Sequence, residues 1–174
     1  TLDTIIWMAE FQDTTRVVSI TKALATYFRL ALNGGEDLIT LTKEVDHVRQ
    51  YLFIQQQRYE EKLSYEIQVD ENIPEILLPK LVLQPLVENA IYHGIKEINR
   101  PGRIQLTVRY QSPYIKITIE DNGVGLKKQG TSNKALGGVG IQNVQERLAL
   151  YFGEQFKMEF DSVENSYTKV CLTI

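Results

Sequence analysis

Asn89 and His93 stand four residues apart in Leu86-Val87-Glu88-Asn89-Ala90-Ile91-Tyr92-His93-Gly94. On a helix that spacing puts both polar groups on one face, with Ala90 small enough for close approach and Leu86, Val87 and Ile91 free to face a sheet. A polar stripe on an otherwise apolar helix wants a ligand, although backbone groups can satisfy a buried Asn or His taken singly. A second group of residues is Asp121-Asn122-Gly123-Val124-Gly125. A carboxylate there accepts a hydrogen bond from an exocyclic amine, while the glycines let a flat ring approach; a plain Asp turn is the blander reading. Six of the eleven glycines fall between Gly123 and Gly140, in a stretch that also carries Lys127 and Lys128. Its end, Gly137-Gly138-Val139-Gly140, runs into a helical pattern, so free backbone N–H groups and the positive end of a helix dipole would be offered together. That is an anion site, most economically for phosphates.

These groups need elements to hold them. Before the first proline, Pro74, the pattern is helical almost throughout. Val17, Ile20, Leu24, Tyr27, Phe28 and Ala31 lie at helical spacing, and Asn33-Gly34-Gly35 stops the run. A second helix starts near Thr40, a plausible N-cap, with Glu44 and Asp46 in its first turns and Leu41, Val45, Val48 and Leu52 leading toward Tyr59. With no sheet yet available to cover them, the apolar stripes predict an antiparallel helix pair and further pairing with a second copy of the chain.

After Leu63 the period becomes alternating through Tyr65, Ile67 and Val69, which predicts a strand and a domain boundary. Pro79 to His93 is again helical in character, with Pro85 in the first turn and Gly94 ending it. Strands follow at Ile104 to Tyr110 and Ile115 to Asp121, joined by Gln111-Ser112-Pro113. Ile141, Val144, Leu148 and Tyr151 mark a last helix closed by Gly153, before strands at Phe156 to Phe160 and Thr168 to Ile174. This order predicts an α+β fold, a two-layer sandwich with helices on one face of a mixed, largely antiparallel sheet, preceded by an α-helical extension. The division falls at residues 1–63 and 64–174.

Bulk properties remove several classes of function. A net charge of -3 with Lys/Arg mixed among Asp/Glu gives no basic stripe, so nucleic acid is not an expected partner. One cysteine, Cys171, builds neither a disulfide framework nor a cysteine metal cluster. No apolar run approaches the length of a membrane span. The chain opens on Leu2, Ile5, Ile6 and Met8 in mid-helix, and so reads as a piece of something longer.

Taken in order, Glu88-Asn89, Asp121-Asn122-Gly123-Val124-Gly125 and Gly137-Gly138-Val139-Gly140 resemble the N, G1 and G2 boxes of the ATPase domain shared by histidine kinases, gyrase, the Hsp90 chaperones and the MutL proteins. Leu83-Gln84-Pro85-Leu86-Val87-Glu88-Asn89-Ala90 with His93-Gly94, and Gly140-Ile141-Gln142-Asn143-Val144-Gln145-Glu146-Arg147-Leu148, are similar to the LytS/YesM-type sensor histidine kinases. The likeness extends to Ile6-Trp7-Met8-Ala9 and to Val48-Arg49-Gln50-Tyr51-Leu52-Phe53-Ile54-Gln55, and so spans essentially the whole chain.

The resemblance implies ATP and Mg²⁺ as ligands. It implies that Asp121 recognises the adenine amino group, that the Thr168 hydroxyl supports that contact, and that Asn89 holds the Mg²⁺ bridging the phosphates. Gly123, Gly125, Gly138 and Gly140 would shape the lid, with Asn122, Val139 and Ile141 beside them and His93 facing the nucleotide. Lys96, Lys127 or Lys128 would meet phosphate charge. It further implies a homodimer through the N-terminal helices, a response regulator as partner, and a membrane-anchored parent with this part in the cytoplasm.

The accepting histidine of this family lies in a motif upstream of Thr1. His47 lacks the acidic residue or proline that flanks an acceptor and is expected at the surface or an interface. Two other readings stand beside the kinase. A hydrolase of the gyrase or MutL kind needs a glutamate four residues before the magnesium-binding asparagine, and that position is Pro85; Glu88 is adjacent to Asn89 instead, as a weak candidate base. The other is a non-catalytic nucleotide-binding dimerisation module.

Overall fold

The chain is described by a computed structural model covering residues 1–125 and 139–174. It opens with helix α1 (Leu2–Glu10) and helix α2 (Thr14–Leu32). Gln12 takes a left-handed φ of 59°, and the Asp13 side chain accepts from the Arg16 N–H to cap α2. Asn33, also left-handed, closes α2 where the Asn-Gly-Gly signal stands.

A three-residue strand, β1 (Leu38–Thr40), leads into α3 (Leu41–Tyr59), whose N-cap is Thr40 accepting from the Lys43 N–H. Then come β2 (Leu63–Val69), the short β3 (Leu77–Pro79) and α4 (Gln84–Asn89). The helical path does not stop at Gly94 as expected. It continues as a π-turn over Ala90–Gly94 and a 3₁₀ turn over Ile95–Glu97, and the Ile95 N–H donates back to Ala90 and Ile91. The remaining elements are β4 (Gly102–Gln111), β5 (Tyr114–Asp121), α5 (Val139–Phe152), β6 (Lys157–Val163) and β7 (Tyr167–Thr173).

Five strands form one sheet in the order β2-β4-β5-β7-β6, parallel between β2 and β4 and antiparallel elsewhere. Alternation sends Ile104, Leu106 and Val108 of β4, Ile115, Ile117 and Ile119 of β5, and Val170 and Leu172 of β7 to one face. Leu86, Val87, Ala90 and Ile91 of the α4 segment and Ile141, Val144 and Leu148 of α5 join them in one core. This is the α+β arrangement of two layers, with the helical extension in front.

The apolar stripe of α3 has a destination that the helical pattern does not give. Leu41, Val45, Val48 and Leu52 enter the sheet core rather than a helix partner. A second side of α3 meets α2, where Ile54 packs with Met8, Ile20 and Ala23. α3 is therefore buried on two sides, and β1 pairing with β3 straps its start to the segment that leads into α4. His47 is not at the surface. It is fully buried, stacked on Tyr27 with ring centroids 4.5 Å apart, because its side of α3 is the one α2 covers.

Candidate functional site

The end of β5 places Asp121 on the inner, helix-facing side of the sheet. In register Asp121 stands opposite Thr168 of β7, and Thr168 opposite Ser162 of β6. Three polar side chains thus form a row across three strands, with the Ser162 and Thr168 hydroxyls 3.3 Å apart. Asp121 is 4% exposed and Thr168 9%. Burial pushes the Asp121 carboxyl up to about 6, opposed by the Gly123 N–H it accepts at 2.9 Å and reinforced by the nearby Glu120 charge. A carboxylate held this way has strong reason to accept a further donor.

Backbone lies against backbone beside it. A Cβ added at Gly94 would meet Asp121 Oδ1 at 2.4 Å, and one added at Gly123 would meet the Gly94 carbonyl carbon at 2.3 Å. The Val124 N–H donates to the Gly94 carbonyl at 3.2 Å, so the end of the α4 segment and the turn after β5 are joined through two residues that must lack side chains. Gly125 takes a φ of +68°, and the Asn165 N–H of the β6–β7 turn donates to the Val124 carbonyl. The segment after Asp121 is thereby held from both sides.

Asn89 closes α4, half-buried, with no hydrogen bond to its amide among the described residues. Its side-chain carbonyl oxygen accepts no hydrogen bond among the described residues. Glu88 is committed elsewhere: it accepts from Gln84 Nε2 at 2.6 Å, and that same nitrogen donates to the Tyr27 hydroxyl of α2 at 2.8 Å. The carboxylate is therefore drawn toward the helical extension. Asn122 is likewise committed, accepting from the Arg103 N–H at 2.7 Å and donating to the Pro101 carbonyl at 3.1 Å. It pins the end of β5 to the start of β4.

His93 and Lys96 are exposed, with the Lys96 ammonium 5.8 Å from the Tyr92 ring centre. The turn between Asn89 and His93 is π-helical, and His93 is exposed where Asn89 is half-buried. Gly140 and Ile141 open α5, Gly140 exposed and Ile141 buried in the core, and Val139 begins the same helix. Lys127, Lys128, Gly137 and Gly138 lie outside the described residues. No group of three or more His, Cys, Asp or Glu among the described residues could hold a metal ion.

Two contributors escape the sequence reading. Ser162 becomes visible only when β6 and β7 are put in register. Gly94 reads as a helix terminator, whereas its role is to leave room for Asp121.

The model of the histidine kinase-, DNA gyrase B- and HSP90-like ATPases matches residues 75–174, more than half of the chain. The chain belongs to that ATPase family. The histidine kinase model matches the helical residues 1–63. Over its whole length the chain is 32% identical to the sensor histidine kinase YesM of Bacillus subtilis, covering 30% of that protein. It is 31% identical to the sensor histidine kinase BtsS of Escherichia coli, with 94% of this chain and 28% of that one aligned. The chain thus spans less than a third of the length of these curated relatives.

Solved structures agree on the fold. The histidine kinase domain of the Erythrobacter litoralis EL346 blue-light activated histidine kinase superposes with a TM-score of 0.61 at 18% identity, covering 100% of this chain and 87% of that one. The Acinetobacter baumannii histidine kinase AdeS gives 0.57 at 14% identity, covering 98% and 83%. No helix among the described residues is long and apolar enough to cross a membrane.

Proposed function

We propose that this ATPase-family chain binds Mg-ATP between the α4 segment and the turn after β5, and that it presents the γ-phosphoryl group to a histidine lying upstream in the parent sensor kinase. The observation that carries the reading is Asp121, a buried carboxylate with a raised pKa, opposite the Thr168 hydroxyl and beside a slot kept clear by Gly94 and Gly123. In that slot Asp121 accepts from the adenine amino group and Thr168 supports the contact. Asn89 would hold Mg²⁺ through its side-chain oxygen. A hard cation that takes few protein ligands suits a site with no carboxylate cluster among the described residues. When bound, the metal neutralises phosphate charge; the protein's part is to hold the triphosphate in line with its acceptor.

Glu88 is the weakest of the assigned roles, since its carboxylate is turned toward Gln84. That commitment favours transfer to a histidine over activation of water. His47, buried and stacked on Tyr27, is no acceptor. We read residues 1–63 and 64–174 as a dimerisation segment and a catalytic segment, which the matches at 1–63 and 75–174 support. Trp7 of α1, Phe11 just after it, and Phe28 and Leu32 of α2 are exposed and support pairing of two copies through the helices. We further propose a response regulator as phosphate recipient and a membrane-anchored parent, readings that the likeness to sensor histidine kinases supports.

The test is transfer of γ-labelled phosphate. This chain should bind ATP but take up no acid-labile label, whereas a chain extended upstream through the acceptor histidine should take it up. Label on the shorter chain, or none on the longer, would overturn the reading.

A further inference from the structure

Glu44 belongs to α3, in the segment matched by the histidine kinase model, and none of its surface is exposed. Its carboxylate accepts three consecutive backbone N–H groups, from Leu81 at 3.1 Å, Val82 at 2.7 Å and Leu83 at 2.8 Å. Those amides immediately precede Gln84, where the helix carrying Asn89 begins. Leu83 occupies the N-cap position and has no side chain able to cap. Leu81 holds a φ of 60°, unfavourable for a non-glycine residue, and this bend aims the three N–H groups at one point.

A carboxylate buried alone would be strongly disfavoured. Here burial pushes the Glu44 carboxyl above its ordinary value, while the three N–H donors and the Arg147 guanidinium of α5 oppose that shift. Local pairing fixes its height. β1 pairs with β3, the Lys80 N–H donates to the Asp37 carbonyl at 2.9 Å, and the Leu41 N–H donates to the Ile76 carbonyl at 3.0 Å. α3 cannot move along its axis without carrying the 81–83 turn with it.

We propose that Glu44 is a positioning residue for the nucleotide site: by gripping the turn before α4 it sets where Asn89 meets the metal-bound phosphates. The inference rests on the assignment of Asn89 given above. Glu44 touches no substrate and acts through the backbone of the turn. Because coupling between two sites is reciprocal, nucleotide bound at Asn89 tightens the grip of Glu44 in return.

Calorimetry on the whole chain separates the alternatives, with ATP titrated in the presence of Mg²⁺ and again in EDTA. Glu44→Gln keeps the volume but removes the charge and replaces one of the two accepting oxygens by an NH₂ donor, so Mg-ATP affinity should fall about tenfold. ATP without metal, which reports the Asp121 contact, should bind within about twofold of the parent value. Equal losses in both titrations would make Glu44 a scaffold residue only and overturn the proposal, as would no loss in either. If the parent chain itself fails to bind Mg-ATP, the nucleotide assignment fails first, and a parent that binds beside an unaffected variant sinks Glu44 alone. Amide exchange on the unmodified chain decides the matter even if Glu44→Gln does not fold. Mg-ATP should slow exchange at Leu81, Val82 and Leu83 by about threefold or more, and unchanged rates would refute the coupling.

Discussion

Burial holds the Asp121 carboxyl at about 6, so its charge changes within an accessible pH range. The two consequences have opposite signs. A proton on Asp121 is bound more tightly in the folded chain than in the unfolded one, whose Asp titrates near its ordinary value of 3.8. The folded state therefore gains stability as pH falls, fully by about pH 4, and loses it as pH rises through about 6, a span of up to about 3 kcal/mol. If Asp121 accepts from adenine as proposed, nucleotide binding needs the carboxylate, and ATP affinity should weaken below about pH 6, approaching tenfold per unit. Asp121→Asn should keep the fold, flatten both profiles, and weaken ATP at pH 7.5 by about 10- to 100-fold. Urea unfolding and calorimetry between pH 5 and 8 measure both; an affinity that keeps its pH dependence in Asp121→Asn would place the titrating group elsewhere. Asp121 was legible from its place just before Gly123 and Gly125, and Thr168 was named only through the family resemblance. Glu44 was not: an acidic residue in the first turn of a helix reads as a partner of the helix dipole, and its real donors lie more than thirty-five residues away in the chain.

Among the elements, α3 departs furthest from its sequence. Periodicity identified it from Thr40 to Tyr59 but could not show that it is covered on two sides, since the second cover comes from a sheet later in the chain. β1 and β3 were illegible for a related reason: three residues each are too few to display alternation, and they exist through their pairing with each other. The side of α3 under α2 carries His47, Tyr51 and Gln55 at four-residue spacing. Both His47 ring nitrogens, the Tyr51 hydroxyl and the Gln55 carbonyl oxygen lack a hydrogen-bond partner among the described residues. Burial accordingly presses His47 down to about 4 and the Tyr51 hydroxyl well up. Removing an unpaired buried hydroxyl removes a desolvation penalty, so Tyr51→Phe should leave stability unchanged or raise it by about 1 kcal/mol. Thermal melting is the check; a loss above about 1 kcal/mol would show that the hydroxyl is satisfied after all.

For the molecule as a whole, the layer order was readable because helical and alternating periods change cleanly at Leu63, at Pro79 and after Asp121. The way the layers are tied together was not, since each tie joins residues distant in sequence: Glu44 to 81–83, Tyr27 to Gln84, Gly94 to Val124. The first two cross from the helices to the ATPase segment, and they bear on what happens if the chain is divided. A piece beginning at residue 64 would present three aligned amides with no acceptor and a strand without its mate. It should melt at a lower temperature than the full chain, and a separate peptide of residues 1–63 should raise its melting point in a concentration-dependent way. Failure of the two pieces to associate would mean that the ties are too weak to act between molecules. The helices of a relative could then be grafted onto this ATPase segment only if they brought an acidic side chain to the place of Glu44, so that one carboxylate sets which pairs of parts are interchangeable.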